Sequence, residues 1–241
     1  MNSVLNEVYA RREMTGRSGK TLPLFPTAIG WHKGVSLYKW IRSTRPRNTL
    51  EIGFASGAST LFICQALQDN GAGRHCVIDP LQTSVWDSAG LDSIERAGLS
   101  QRLIFHEAPA HVQLPRLVEQ KAAVDFAFVD GQHLFDYALL DCFYIDLLLP
   151  IGGVLALDDP WMPSVRKVAR FMLTNRGYRL VNYTNRLLAG APAPAAVRAM
   201  IRCLLGWRGD RIAQPVFRFE SLLYLQKMGT DNRRWRWHKD F

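Results

Sequence analysis

The hydrophobic pattern is most regular in the middle of the chain, where short apolar runs alternate with stretches of helical periodicity. The runs are TLEIG (49–53), HCVID (75–79), RLIFHE (102–107), VDFAFVD (124–130) and GGVLALDD (152–159). Helical spacing follows over 58–69, 87–97, 110–119, 134–148 and 163–175. Five such alternations predict an α/β fold whose parallel sheet is covered by helices on both faces. Upstream, 1–12 and the segment around VSLYKWIRS (35–43) predict helices on either side of a Gly/Pro-containing loop, 13–30. Beyond Tyr178 the alternation fades. RLVNY (179–183) and VFRFESLLYLQK (216–227) predict strands. Between them a GAPAPAA linker leads into an amphipathic helix over 195–207, with Val197, Met200, Ile201, Leu204 and Leu205 opposite Arg198 and Arg202.

A length of 241 residues, 48% of them hydrophobic, suits one large α/β core and is short for two. The four cysteines, Cys64, Cys76, Cys142 and Cys203, lie in apolar segments without a Cys-x-x-Cys pair. That usage fits buried thiols in a reducing compartment, and the expected location is cytoplasmic. No apolar run reaches the ~20 residues of a membrane span, and Glu7, Arg11 and Arg12 stand where a signal peptide would be apolar. The net charge of +9 raises anionic partners: nucleic acid, a membrane surface or a phosphorylated substrate. Its distribution tempers that reading, because many arginines lie near the two ends while the middle of the chain is more acidic.

In parallel sheets ligands bind outside the carboxyl ends of the strands. The residues placed there are Glu51 and Gly53, Asp79, Glu107, Asp130, and Asp158 with Asp159. LEIGFASGAST (50–60) is a strand, a glycine-hinged turn and a helix start, so a ligand can lie directly on backbone at Gly53 and Gly57. Its spacing differs from the Gly-x-Gly-x-x-Gly turn of dinucleotide enzymes, and Glu51 suits an ammonium group better than a pyrophosphate. Asp79, closing the next strand, stands where a carboxylate can take both ribose hydroxyls. A nucleoside carrying an amino acid and no phosphate meets both demands, and S-adenosylmethionine is such a molecule.

On these residues the chain resembles the class I S-adenosylmethionine-dependent methyltransferases over roughly 30–183. The segments IDP, FAFVDGQHLFDYALLDCFYIDLLLPIGGVLALDD and WMPSVRKVARF are most similar to the bacterial branch related to catechol-type and macrolide-sugar O-methyltransferases. The resemblance implies a doubly wound, mostly parallel seven-stranded sheet. It implies a single domain over 1–241: N-terminal helices and an acceptor-side loop (1–47), a cofactor-binding core (48–183), an insertion or lid helix (184–215), and a last strand with a basic tail (216–241). It places Glu51, Gly53, Phe54, Ala55, Ser56 and Gly57 along the methionine and backbone side of the cofactor, Asp79 on the ribose, and Glu107 or Ala108 at the adenine edge. Asp130 would also touch the cofactor. In metal-dependent relatives the positions of Asp130, Asp158 and Asp159 bind magnesium.

Physical chemistry supports a cation at those three residues, since converging carboxylates repel one another unless neutralised. An all-oxygen site suits Mg²⁺, or another divalent cation such as Mn²⁺ or Ca²⁺, which would orient and acidify the acceptor hydroxyl. His133, three residues after Asp130, stands where catechol-type relatives carry a lysine. It is the expected general base beside Asp130, with capping of helix 134–148 as its alternative role. His32, His75, His106, His111 and His238 are read as solvated or satisfied core histidines. Trp161 and Met162 would line the acceptor pocket or belong to the core. Expected partners are a small-molecule hydroxyl acceptor and a second copy of the chain. Helix 195–207 is read as a lid or dimer contact, with an interfacial membrane helix as its alternative, and the tail RRWRWHKDF as folded back on the domain with its tryptophans packed and its arginines solvated, with nucleic-acid or weak membrane-surface contact as its alternative. A nucleic-acid methyltransferase ranks behind, because DGQH stands where base-modifying enzymes carry an Asn/Asp-Pro-Pro-aromatic motif. A noncatalytic binding protein and a nicotinamide-dependent oxidoreductase are the other rivals.

Overall fold

The five apolar runs form five adjacent strands of one sheet in the computed structural model, which describes residues 2–181, 222–237 and 239–241. They become β3 (Asn48–Ile52), β4 (Arg74–Ile78), β5 (Leu103–His106), β6 (Phe126–Val129) and β7 (Val154–Asp158). A small hairpin of β1 (Glu13–Thr15) and β2 (Thr21–Pro23) precedes them, inside the stretch expected to be a loop. With β8 (Tyr178–Leu180) and β9 (Leu222–Lys227) the sheet has seven strands in the order β5-β4-β3-β6-β7-β9-β8. β9 runs antiparallel to both its neighbours, and the other pairings are parallel.

Among the described residues seven α-helices accompany the sheet: α1 (Ser3–Arg11), α2 (Trp31–Thr44), α3 (Ala58–Asp69), α4 (Ala89–Arg96), α5 (Ala110–Glu119), α6 (Phe135–Leu148) and α7 (Pro163–Asn175). The period of two along each strand divides them between the faces. Val154 and Ala156 of β7 join a core with Leu37, Phe62 and Ile94 from α2, α3 and α4. Leu155 and Leu157 point the other way, into a core with Leu114, Ile145 and Val168 from α5, α6 and α7. The sheet is therefore apolar on both sides, as the uninterrupted strand runs require. From β3 the chain winds outward through β4 to β5, then returns to β6 and winds the other way. The loops after β3 and β6 thus part at the carboxyl ends of adjacent strands and leave a crevice between them.

The helix read at 87–97 begins at Ala89, because Asp87 and Ser88 both take positive φ (47° and 56°). The linker 190–196, helix 195–207, Cys203, the strand residues 182–183 and 216–221, and His238 lie outside the described residues. The tail does fold back on α7: the Asn175 side-chain amide donates to the Lys239 carbonyl at 3.1 Å, and the Phe171 and Phe241 rings meet edge-on at 5.1 Å. Its tryptophans are not packed as expected: Trp235 is 86% exposed with Arg236 over its ring, and Trp237 is 42% exposed with Arg233 over its ring. Among the described residues no helix is long and apolar enough to cross a membrane.

Candidate functional site

β3 ends at Ile52, and the chain turns at Gly53 with φ 91°. A Cβ there would lie 2.1 Å from the carbonyl oxygen of Asp130, so glycine is what lets the ends of β3 and β6 approach. Gly57, at φ 75°, then opens α3. Asp79 at the end of β4 ties this turn down: one carboxylate oxygen accepts from the amides of Phe54 (2.8 Å) and Ala55 (3.0 Å), the other from Leu81 (2.7 Å). A carboxylate has about four acceptor positions, so Asp79 retains capacity for a ligand hydroxyl while it shapes the loop.

The crevice is a cleft of about 340 Å³. Gly53 and Ala55 line it from the β3 turn, Asp79 to Leu81 and Trp86 from the loop after β4, and Pro109 to His111 from the start of α5. Asp130 to Gln132 after β6, with Tyr137 and Asp141 of α6, complete it. The His111 and Tyr137 rings meet edge-on at 6.3 Å. Of the residues expected at a cofactor, Gly53, Ala55, Asp79 and Asp130 are brought together here.

Others are not. Glu51 is fully buried. Strand alternation turns it from the cleft toward α3, where its carboxylate accepts from Ser59 Oγ, from Thr60 Oγ1 at 2.6 Å, and meets His75 Nε2 at 2.7 Å. This pairing makes His75 a satisfied core histidine. Phe54 is a core residue against Phe105, Ser56 is buried, and Gly57 serves the backbone turn. Glu107 points outward to Thr83, accepting from its amide (2.7 Å) and hydroxyl (2.5 Å). Those bonds hold the Glu107 carboxyl below its ordinary range. At that end of the sheet Pro109, Ala110 and His111 line the cleft. Trp86, Tyr137 and Asp141 were not anticipated. Only Asp141 had a visible signal, an acid inside the apolar helix FDYALLDCFYIDLL.

Asp130 also belongs to a second group of side chains. Asp158 ends β7, and Asp159 follows in the left-handed region at φ 48°. Between these two carboxylates lies the ammonium of Lys33, from the first turn of α2: Nζ donates to Asp158 Oδ1 at 2.6 Å and to Asp159 Oδ1 at 2.7 Å. His133 Nε2 stands 3.4 Å from Asp130 Oδ1 and 3.9 Å from Asp159 Oδ2. It does not cap α6, whose N-cap is Leu134 without a side-chain bond. Burial, then the charges of Asp158 and Glu51, raises the Asp130 carboxyl well above its usual range. Burial also raises Asp158, against the opposing pull of Lys33. Burial by itself would lower the Lys33 ammonium, but the charges and hydrogen bonds of Asp158 and Asp159 outweigh it and raise it.

The three acids do converge, as expected, yet as arranged they do not fit a magnesium ion. Lys33 fills the space between two of them, and among the described residues no group of three or more His, Cys, Asp or Glu side chains is disposed to hold a metal. A larger recess of about 910 Å³ opens against Arg47, Pro150 and Arg179 at the other end of the strands. Its one acid, Asp125, is engaged by the backbone amides of Arg47 and Asn48, both at 2.9 Å.

A family model described as "Methyltransferase domain" matches residues 50–160. Caffeoyl-CoA O-methyltransferase 2 of Petunia hybrida is 32% identical over 137 residues, which cover 55% of this chain and 54% of the relative. The chain thus matches about half the length of such curated relatives. Among solved structures, O-methyltransferase TomG from Streptomyces achromogenes, in complex with SAM, has a TM-score of 0.57 at 21% identity, covering 75% of this chain and 82% of that one. The SAH-bound methyltransferase PaMTH1 of Podospora anserina has a TM-score of 0.63 at 15% identity, covering 95% and 89%. At these identities the structural likeness concerns the fold.

Proposed function

We propose that this protein, whose residues 50–160 match the methyltransferase-domain family model, is a class I S-adenosylmethionine-dependent methyltransferase that methylates a hydroxyl group of a small-molecule or glycosidic acceptor. The observation that carries the reading is the position of Asp130. It lines the cleft and also stands in the acidic group with His133, so a methyl donor in one adjoins an acceptor in the other. The cleft fits the donor's chemistry: a backbone floor at Gly53 and Ala55, the Asp79 carboxylate beside it, and the carboxyls of Asp130 and Asp141 as hydrogen-bonding groups on the walls. Bound there, S-adenosylmethionine would supply an electrophilic methyl group whose leaving group, a neutral thioether, needs no acid.

The chain's own work is then to bind, orient and deprotonate. Asp79 and the β3 turn hold the nucleoside, and Trp86 with the His111 and Tyr137 pair confines it. His133 would take the proton from the acceptor hydroxyl and so ready its oxygen to receive the methyl group. Asp130, beside Nε2, offsets the charge that His133 acquires. The metal-assisted form of this reaction has the Lys33 ion pairs against it. A second copy of the chain is the partner we expect, and the apolar outer face of α6 supports that expectation.

Calorimetric titration of S-adenosylhomocysteine tests the reading. Binding is expected, with Asp79→Ala weakening it by ~1.5–3 kcal/mol, the scale of lost charge-assisted hydrogen bonds. Absence of both heat and thermal stabilisation, or tighter binding of NAD⁺, would overturn it.

A further inference from the structure

We propose that Lys33 is this protein's built-in replacement for a divalent cation at the acidic strand ends, so that methyl transfer proceeds without bound metal. The inference rests on the methyltransferase reading above and concerns how its acceptor side is arranged. Three carboxylates meet where β6 and β7 end, and the Lys33 ammonium bridges two of them at 2.6 and 2.7 Å with its side chain only 13% exposed. A cation coordinated to the same oxygens, at the ~2.1 Å that magnesium requires, would stand within about 5 Å of Nζ in a region sheltered from water. Lysine and metal therefore repel one another and compete for the same carboxylate oxygens.

Lys33 is also held where it is. It occupies the first turn of α2, the end at which the helix dipole disfavours a cation, so the two acids must offset that placement. The helix start cannot shift freely: a Cβ on Gly34 would come within 2.0 Å of the Phe62 ring, so α2 lies hard against α3. Trp31 packs edge-on to Tyr9 (5.1 Å) and Phe62 (5.2 Å), and the Tyr9 hydroxyl donates to the Ile29 carbonyl at 2.8 Å. An ammonium has three N–H donors, and the two acids take two. The third is suited to the acceptor oxygen, where it would do what a metal would do there: orient the hydroxyl and stabilise the negative charge that develops on it.

Titration of Mn²⁺ into the wild-type protein and into Lys33→Met, followed by calorimetry and by the electron-spin signal of free Mn²⁺, tests this, with circular dichroism and S-adenosylhomocysteine binding as folding and cofactor controls. Lys33→Gln, which keeps a polar end group, stands in if the methionine variant does not fold. The expected result is negligible Mn²⁺ uptake by the wild type and at least about tenfold tighter uptake by the variant, abolished by adding Asp158→Asn. Wild-type binding that Asp158→Asn removes overturns the proposal, and so does absence of uptake in both proteins. Loss of S-adenosylhomocysteine binding, by contrast, would count against the methyltransferase reading itself.

Discussion

Asp141 faces the cleft from α6 with 4% of its surface exposed, and burial pushes its carboxyl from 3.8 up to about 7. Because the folded value lies above the unfolded one, the folded protein keeps a proton between roughly pH 4 and 7 that the unfolded chain has lost. Its contribution to stability is therefore greatest at low pH and declines as pH rises through that window, by up to ~4 kcal/mol at about 1.4 kcal/mol per unit. Asp141→Asn cannot lose that proton, so its stability relative to wild type should climb from pH 5 to pH 8. Urea unfolding of both proteins at the two pH values measures the difference, in which carboxyls common to both cancel. A gap that does not change with pH would mean that Asp141 is solvated or paired in the folded protein. The same residue shows what a strand-end rule overlooks: Asp141 reaches the cleft from a helix, while Glu51, on a strand, is turned into the core by alternation.

At the level of elements, the turn after β3 depends on two separate properties of Gly53. Its φ of 91° disfavours any side chain, and a Cβ would meet the Asp130 carbonyl oxygen at 2.1 Å. Gly98, also at positive φ (69°) but with nothing within 4 Å of a built Cβ, has only the first property. Gly98→Ala should therefore cost ~1–2 kcal/mol, the left-handed penalty alone, and Gly53→Ala ~3 kcal/mol or more together with loss of S-adenosylhomocysteine affinity. Denaturant unfolding of the two variants compares them, and equal losses would refute the close-approach argument. The β3 turn was legible in the sequence because glycine spacing and a following helix encode it locally, and the central strands and helices were legible for the same reason. α3 at Ala58–Asp69 and α5 at Ala110–Glu119 match the periodic segments end to end. The hairpin at Glu13–Pro23 was not, since strands of three residues carry too little periodicity to separate from loop. Nor was Lys33, whose partners lie 125 and 126 residues away and are supplied by the winding of the sheet. Long-range pairing of this kind leaves no local pattern, and it gives Asp158 and Asp159 an ammonium partner that the sequence did not announce.

Over the whole molecule, α6 poses a question that the fold alone does not answer. Its inner face buries Ala138, Cys142 and Ile145, yet Leu140 (37% exposed), Phe143 (43%) and Leu147 (52%) form an outward stripe at helical spacing. Ile151, just past the helix, is 63% exposed. A helix apolar all round is ordinarily covered on both sides. An isologous dimer would cover it, the same stripe of each copy meeting the other about a two-fold axis. The net charge of +9 works against that association, because two such copies repel one another, and the repulsion is screened within about 10 Å at 0.1 M salt. Sedimentation equilibrium should accordingly find a dimer whose affinity rises with salt, the opposite of what contacts between unlike charges would give. Leu147→Glu should yield a monomer that still binds S-adenosylhomocysteine, because Leu147 lies outside the cleft. A wild-type monomer at every salt concentration would refute the dimer and leave the stripe without that role.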